Sequence, residues 1–186
     1  GYTLLSAHTG EFAVSPFVFK DVPFELDRDF TAVVMLSDAP MIVVVNSQSP
    51  INSFKDLVAM ARAKPGQVSF GSPGSGSVNH LASEWLAVAA GIKMLHVPYK
   101  GGNPAMTDLL GGRVSVFFST VAVARPHLQS GKIKGLGVTT ARRTLALPNL
   151  PTIAESGLPG YEVSGWYGLV APAATPRAVI ARLHGA

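Results

Sequence analysis

The feature that most limits what this chain can fold into is an alternation. Short β-branched and aromatic runs at 3–5, 32–36, 42–45, 68–70, 94–97, 114–118, 135–138 and 168–170 are separated, for the most part, by stretches with a helical repeat. Strand, helix and strand in succession bury both faces of a sheet, and repeating the unit gives a largely parallel, doubly covered sheet. The expected class is α/β.

Local signals place the helices. Ser53 with Asp56 three residues on makes a near capping box, after which Phe54, Leu57, Val58 and Ala61 share one face until Pro65-Gly66 ends the helix. A second helix is predicted from near Val78, burying Leu81, Ala82, Trp85, Leu86 and Ala89, with Gly91 at its C-cap. Asn103 is expected to cap a third, with Pro104 in its first position and Ala105, Met106, Leu109 and Leu110 facing inward. Thr152 and Glu155 form another capping box, and Thr175-Pro176 opens the last helix. The Pro- and Gly-rich texture of 141–161 reads as a connection between lobes.

Composition excludes several classes. With 47% hydrophobic and 14% charged residues the chain belongs with folded globules rather than disordered polymers. Its apolar runs, such as 41–45, stop well short of the roughly 18 residues of a membrane span, so no membrane insertion is expected. The net charge of +4 is spread singly along the chain, with Arg142-Arg143 the one adjacent basic pair, and no nucleic-acid partner is expected. The absence of cysteine removes thiolate metal sites and thiol nucleophiles, and suits a periplasmic or cytosolic bacterial protein. His8, His80, His96, His127 and His184 show no metal-ligand spacing, no serine sits in a G-x-S-x-G elbow, and no catalytic residue, metal or cofactor is expected. His80 and Glu84 read as a solvated i, i+4 pair, and His96 as a strand residue with a satisfied ring. The opening Gly1-Tyr2-Thr3-Leu4-Leu5 reads as a strand with no signal peptide before it, and 177–186 stops in a helical pattern without a cap, so both ends are expected to be cut.

The most informative segment is Phe70-Gly71-Ser72-Pro73-Gly74-Ser75-Gly76-Ser77-Val78-Asn79-His80, a strand running through a Gly/Ser loop into a helix. The first N–H groups of a helix lack intrahelical partners and carry partial positive charge, glycines admit a ligand to the backbone, and Ser75, Ser77 and Asn79 offer side-chain hydrogen bonds. No Lys follows the glycines and no G-x-G-x-x-G spacing is present, so a carboxylate fits better than a nucleotide. The same residues equally satisfy a plain strand-to-helix turn. Three more loops follow strands: 6–12 with His8, Thr9 and Gly10, then Tyr99-Lys100-Gly101-Gly102, then Phe118-Ser119-Thr120. Each alone fits turn chemistry, whereas four together make a convergent pocket.

These residues resemble a known family. The opening run, the segment from Phe70 through His80-Leu81-Ala82-Ser83-Glu84, the run His96-Val97-Pro98-Tyr99-Lys100-Gly101-Gly102 and the stretch Thr107-Asp108-Leu109-Leu110-Gly111-Gly112 are similar to the substrate-binding proteins of tripartite tricarboxylate transporters, the TctC or Bug receptors. So are Leu147-Pro148-Asn149-Leu150-Pro151-Thr152-Ile153-Ala154-Glu155-Ser156-Gly157 and Trp166-Tyr167-Gly168-Leu169-Val170-Ala171-Pro172. The resemblance implies a type II periplasmic-binding-protein-like, two-lobed α/β fold, with a nearly complete second lobe at 46–163 inserted between parts of the first at 1–45 and 164–186. It implies a periplasmic solute-binding protein that captures a di- or tricarboxylate, aromatic acid or amino acid and delivers it to a membrane permease. By the same carry-over, His8, Thr9, Gly10, Glu11 and Phe12 face the ligand from the first lobe. Ser72, Gly74, Ser75, Gly76, Ser77, Asn79 and His80 do so from the second, with Tyr99, Ser119 and Thr120 beside them. The family often has Asp-Asn where this chain has Ser119-Thr120, which removes an anionic side chain. Two rivals stand beside this reading: an effector-binding domain of a LysR-type regulator, and a hydrolase using Ser75 or Ser77.

Overall fold

A computed structural model of the chain describes residues 3–185, so Gly1 and Tyr2 of the opening run and Ala186 of the final helical pattern lie outside the described residues. In chain order the elements are β1 (Leu5–His8), a π-helical turn (Gly10–Val14), α1 (Ser15–Val18), α2 (Leu26–Asp29), β2 (Phe30–Asn46), α3 (Phe54–Ala63), β3 (Ser69–Ser72) and α4 (Val78–Ala90). They continue with β4 (Leu95–Pro98), α5 (Gly102–Leu110), β5 (Val116–Thr120), α6 (Val121–Gln129), β6 (Ile133–Val138), β7 (Ser164–Pro172) and α7 (Arg177–His184). Two compact units result, one made of the chain up to Ala39 and from Gly165 onward, the other of Pro40–Ser164.

The second unit is built on a sheet of order β4-β3-β5-β2-β6. β3 runs parallel to β4 and β5, while β2 is antiparallel to both β5 and β6. Four strands therefore point one way, linked by α4, α5 and α6, and β2 alone runs against them. The period of two along β2 feeds both faces. Met41, Val43 and Val45 join Phe70, Val116 and Phe118 under α3 and α4, whereas Ile42 and Val44 join Phe117 and Val138 under α5 and α6. All five residues from Met41 to Val45 are at most 2% exposed, the run of apolar residues expected of a strand covered on both sides.

In the first unit β1 pairs antiparallel with β7, Ala7 opposite Gly168. Phe12, Phe24 and Phe30 pack with centroid separations of 5.6, 5.4 and 5.7 Å, in stacked and edge-on arrangements.

Several sequence expectations shift. The first strand covers 5–8 rather than 3–5, which moves Ser6, Ala7 and His8 from a loop into β1. The runs at 32–36 and 42–45 are one strand of 17 residues, continuous through Pro40, where β2 passes from the first unit to the second. The buried face of α4 is Ala82, Ser83, Leu86, Ala87 and Ala90; Leu81 and Trp85, expected inside, are 39% and 49% exposed, because the face is turned by about one residue. Asn103 does not cap α5, which begins at Gly102 after Gly101 at φ 117°, a conformation that favours glycine. The helix α6 follows β5 directly, where the sequence suggested only a loop.

Candidate functional site

Each parallel strand of the β3, β4, β5 set ends where a helix begins: β3 leads through 73–77 to α4, β4 through 99–101 to α5, and β5 directly to α6. The carboxyl edge of such a sheet is where ligands collect, because helix N-termini bring unpaired N–H groups and partial positive charge there.

The loop from Ser72 to Ser77 is bent by Gly74 at φ 149° and Gly76 at φ 79°, backbone conformations other residues rarely adopt. Its side chains are largely claimed by the protein. Ser77 caps α4, its Oγ accepting from the His80 N–H at 3.2 Å and donating to the Gly74 carbonyl at 2.7 Å. Asn79 Nδ2 donates to the Phe118 carbonyl at 2.6 Å and ties the first turn of α4 to β5. The buried Ser72 Oγ accepts from the Gly74 N–H at 3.2 Å and lies 2.7 Å from His96 Nε2, and the Gly76 N–H donates to His80 Nδ1 at 3.2 Å. The two imidazoles stack, centroids 3.9 Å apart at 19°, and Glu84 Oε1 lies 3.7 Å from His80 Nε2. Burial, with the neighbouring His80 adding to it, holds the His96 pKa below its ordinary value.

The remaining candidates divide the same way. Tyr99 donates its hydroxyl to Asp108 at 2.8 Å, and Asp108 pairs with Arg113 at 2.7 Å. Burial, with that hydrogen bond second, pushes the Tyr99 pKa up to about 12. The Tyr99 and Gly101 N–H groups donate to the Ser72 and Pro73 carbonyls, lacing the two loops together. Ser119 is buried in β5, and Thr120 is the N-cap of α6, accepting from the Val123 N–H at 3.4 Å. In the first unit Thr9 Oγ1 accepts from the Trp166 N–H at 2.7 Å, His8 Nδ1 accepts from the Gly10 N–H at 3.1 Å, and the exposed Glu11 lies 3.6 Å from His8 Nε2. Phe12 turns inward to the aromatic cluster, 6% exposed.

Open donors remain at the start of α4. Among the described residues no protein acceptor meets the N–H groups of Ser75, Val78 and Asn79, and Ser75 is exposed. Ser77 Oγ and Asn79 Nδ2 thus have protein partners, and the open N–H groups stand beside them. A cavity of about 340 Å³ in this unit opens at the opposite edge, by the amino ends of β3 and β5, lined by Asn46, Gln48, Ser49, Met60, Leu110 and Ser115 among others; none of its lining residues is charged. Among the described residues no group of His, Asp or Glu side chains gathers closely enough to hold a metal ion, and no helix is long and apolar enough to cross a membrane.

The α/β fold is of the periplasmic-binding-protein kind: the structure of periplasmic binding protein BugD is 34% identical with a TM-score of 0.87, over 98% of this chain and 60% of that one. The model of the tripartite tricarboxylate transporter family receptor, TctC, matches residues 1–186, and the chain belongs to that family. It is 43% identical to the UPF0065 protein in the tcbD-tcbE intergenic region of Pseudomonas sp. strain P51, over 99% of this chain and 55% of that protein. Among solved structures, R. palustris Rpa4515 with adipate is 36% identical with a TM-score of 0.93, over 98% of this chain and 61% of that one. MatC from Rhodopseudomonas palustris with bound malate is 29% identical with a TM-score of 0.85, over 97% and 61%.

Proposed function

We propose that this protein is a periplasmic receptor that takes up a small organic carboxylate and presents it to the membrane permease of a tripartite tricarboxylate transporter, doing no chemistry on it. The observation that carries the reading is the set of open N–H groups at Ser75, Val78 and Asn79, at the start of a helix of 13 residues. Backbone donors at a helix N-terminus suit a carboxylate and carry no base, acid or nucleophile. The serines of the rival hydrolase reading have other work or no partner: Ser77 Oγ is committed to capping, and no imidazole lies in hydrogen-bond contact with Ser75 among the described residues. Adipate and malate in the two solved relatives support a carboxylate of this size.

Calorimetric titration of the protein with a panel of mono-, di- and tricarboxylates tests the proposal. Saturable heat with at least one of them is expected. Silence across the panel, with binding of cationic or neutral solutes instead, would overturn it.

A further inference from the structure

The His80–His96 stack adjoins the loop that offers these donors, one ring holding a glycine directly and the other meeting the serine that holds the second. The Gly76 N–H is held by His80 Nδ1 directly, and the Gly74 N–H is held by Ser72 Oγ, which in turn meets His96 Nε2 at 2.7 Å. Phe70, the cross-strand neighbour of His96, lies against both rings, 4.9 Å from His96 and 6.2 Å from His80. Bonds from Ser77, Tyr99 and Gly101 fix the carbonyls of Gly74, Ser72 and Pro73, whereas the N–H of Gly76, at positive φ, is held by His80.

We infer that His80 and His96 form a proton-sensitive brace for the loop 72–77, so that affinity for a carboxylate falls when the pair takes up a proton. The inference rests on the anion-holding role proposed for this loop. Because Nδ1 of His80 accepts, its neutral ring carries the hydrogen on Nε2, the atom that faces Glu84. Protonation places a hydrogen on Nδ1 as well, donor now facing donor, and the Gly76 contact is lost. Charge on both rings would set two cations face to face at 3.9 Å, so the pair resists a second proton. The titratable groups around His80 are Glu84 on its own helix and His96 from β4; β3 contributes Phe70 and Ser72, neither of which titrates in this range. A proton on the pair also draws an anion toward it. Glu84 at 3.7 Å offsets much of that attraction, whereas nothing replaces the acceptor that Gly76 loses, so release of the loop sets the sign.

The experiment combines amide NMR of the ligand-free chain with calorimetry, both between about pH 8 and about pH 5.5, where the histidine ring titrates. The Gly76 amide shift is expected to titrate together with the His80 ring. Affinity for adipate, or for whichever carboxylate of the panel binds, is expected to fall about tenfold across that range, the size of one lost hydrogen bond. His80→Phe removes the acceptor and is expected to be weak at every pH. His80→Asn places Oδ1 where Nδ1 stands, and is expected to recover affinity relative to His80→Phe with a flat pH profile. A Gly76 amide that stays still while the His80 ring titrates overturns the brace, with or without a ligand in hand. So does an affinity that rises on acidification. No binding at any pH, beside a Gly76 amide that follows the ring, would overturn the receptor proposal and leave the brace standing.

Discussion

Placing a methyl group on Gly137 tests how tightly β6 is packed into the second unit. A Cβ there would lie 2.8 Å from Ile153 Cδ1, 3.2 Å from the Pro151 carbonyl oxygen and 3.3 Å from the Ile153 nitrogen. Ile153 is fully buried and has no room to swing away, and the other two neighbours are backbone. That backbone is hydrogen-bonded to β6: the Val138 N–H donates to the Pro151 carbonyl at 3.0 Å and the Ile153 N–H to the Val138 carbonyl at 2.9 Å. Overpacking of this kind costs about 1–3 kcal/mol. Displacing 151–153 also weakens two buried bonds worth about 1 kcal/mol each. The smaller backbone entropy of alanine in the unfolded chain returns about 0.4–1 kcal/mol. Gly137→Ala is therefore expected to lose about 2–4 kcal/mol, seen as a urea midpoint lowered by about 1–2 M at unchanged slope. Gly66→Ala is the control: φ is 75° but nothing lies within 4 Å, so only the left-handed strain of about 1–2 kcal/mol applies, less the same entropic return. Should Gly137→Ala lose no more than Gly66→Ala, the packing account of β6 is wrong.

Two further outcomes are expected. Ser77→Ala strips the cap of α4 and should cost about 1–2 kcal/mol by denaturation, whereas Ser77→Asp keeps an acceptor for the His80 N–H but sets a negative charge at the anion loop. Its stability should stay within about 1 kcal/mol of the parent while carboxylate affinity drops more than about tenfold by calorimetry; equal binding would count against an anion at this loop. Burial raises the pKa of both Tyr99, to about 12, and Tyr161, so each favours its neutral form in the folded chain. Their contribution is complete below the ordinary tyrosine value of about 10 and is lost as pH climbs from there through the folded value. Tyrosinate absorbance should show the two ionising only along with alkaline unfolding, and free titration of both near pH 10 in the folded chain would contradict this.

How much of this was legible beforehand varies by residue. Ser53, Gly91 and the Thr152–Glu155 box are local devices whose partners lie within five residues, and they stand as their spacing predicts; the Thr152 N–H donates to Glu155 at 2.9 Å and the Glu155 N–H to Thr152 at 3.0 Å. That box opens only a hydrogen-bonded turn, not a helix. α6 was hidden because Val121-Ala122-Val123-Ala124 alternates like a strand and Pro126 interrupts the helical repeat. Thr120, expected beside the ligand, is also the cap that marks its start. The packing of Phe12 with Phe24 and Phe30 was not legible, because one aromatic after a glycine carries no periodicity to say which way it points.

The chain alone determined the alternation of strands and helices from α3 to β5, the glycine bends at Gly74 and Gly76, and the helix start that leaves N–H groups open, since each depends on neighbours a few residues away. Tertiary structure decided which polar side chains stay available. Asn79 finds the Phe118 carbonyl 39 residues on, and Ser72 finds His96 24 residues on. His80 meets His96 through stacking alone, across the gap between a helix and a strand. A hydrogen-bonding group is a candidate for a ligand only until folding brings it a partner, and long-range partners leave no mark in local spacing.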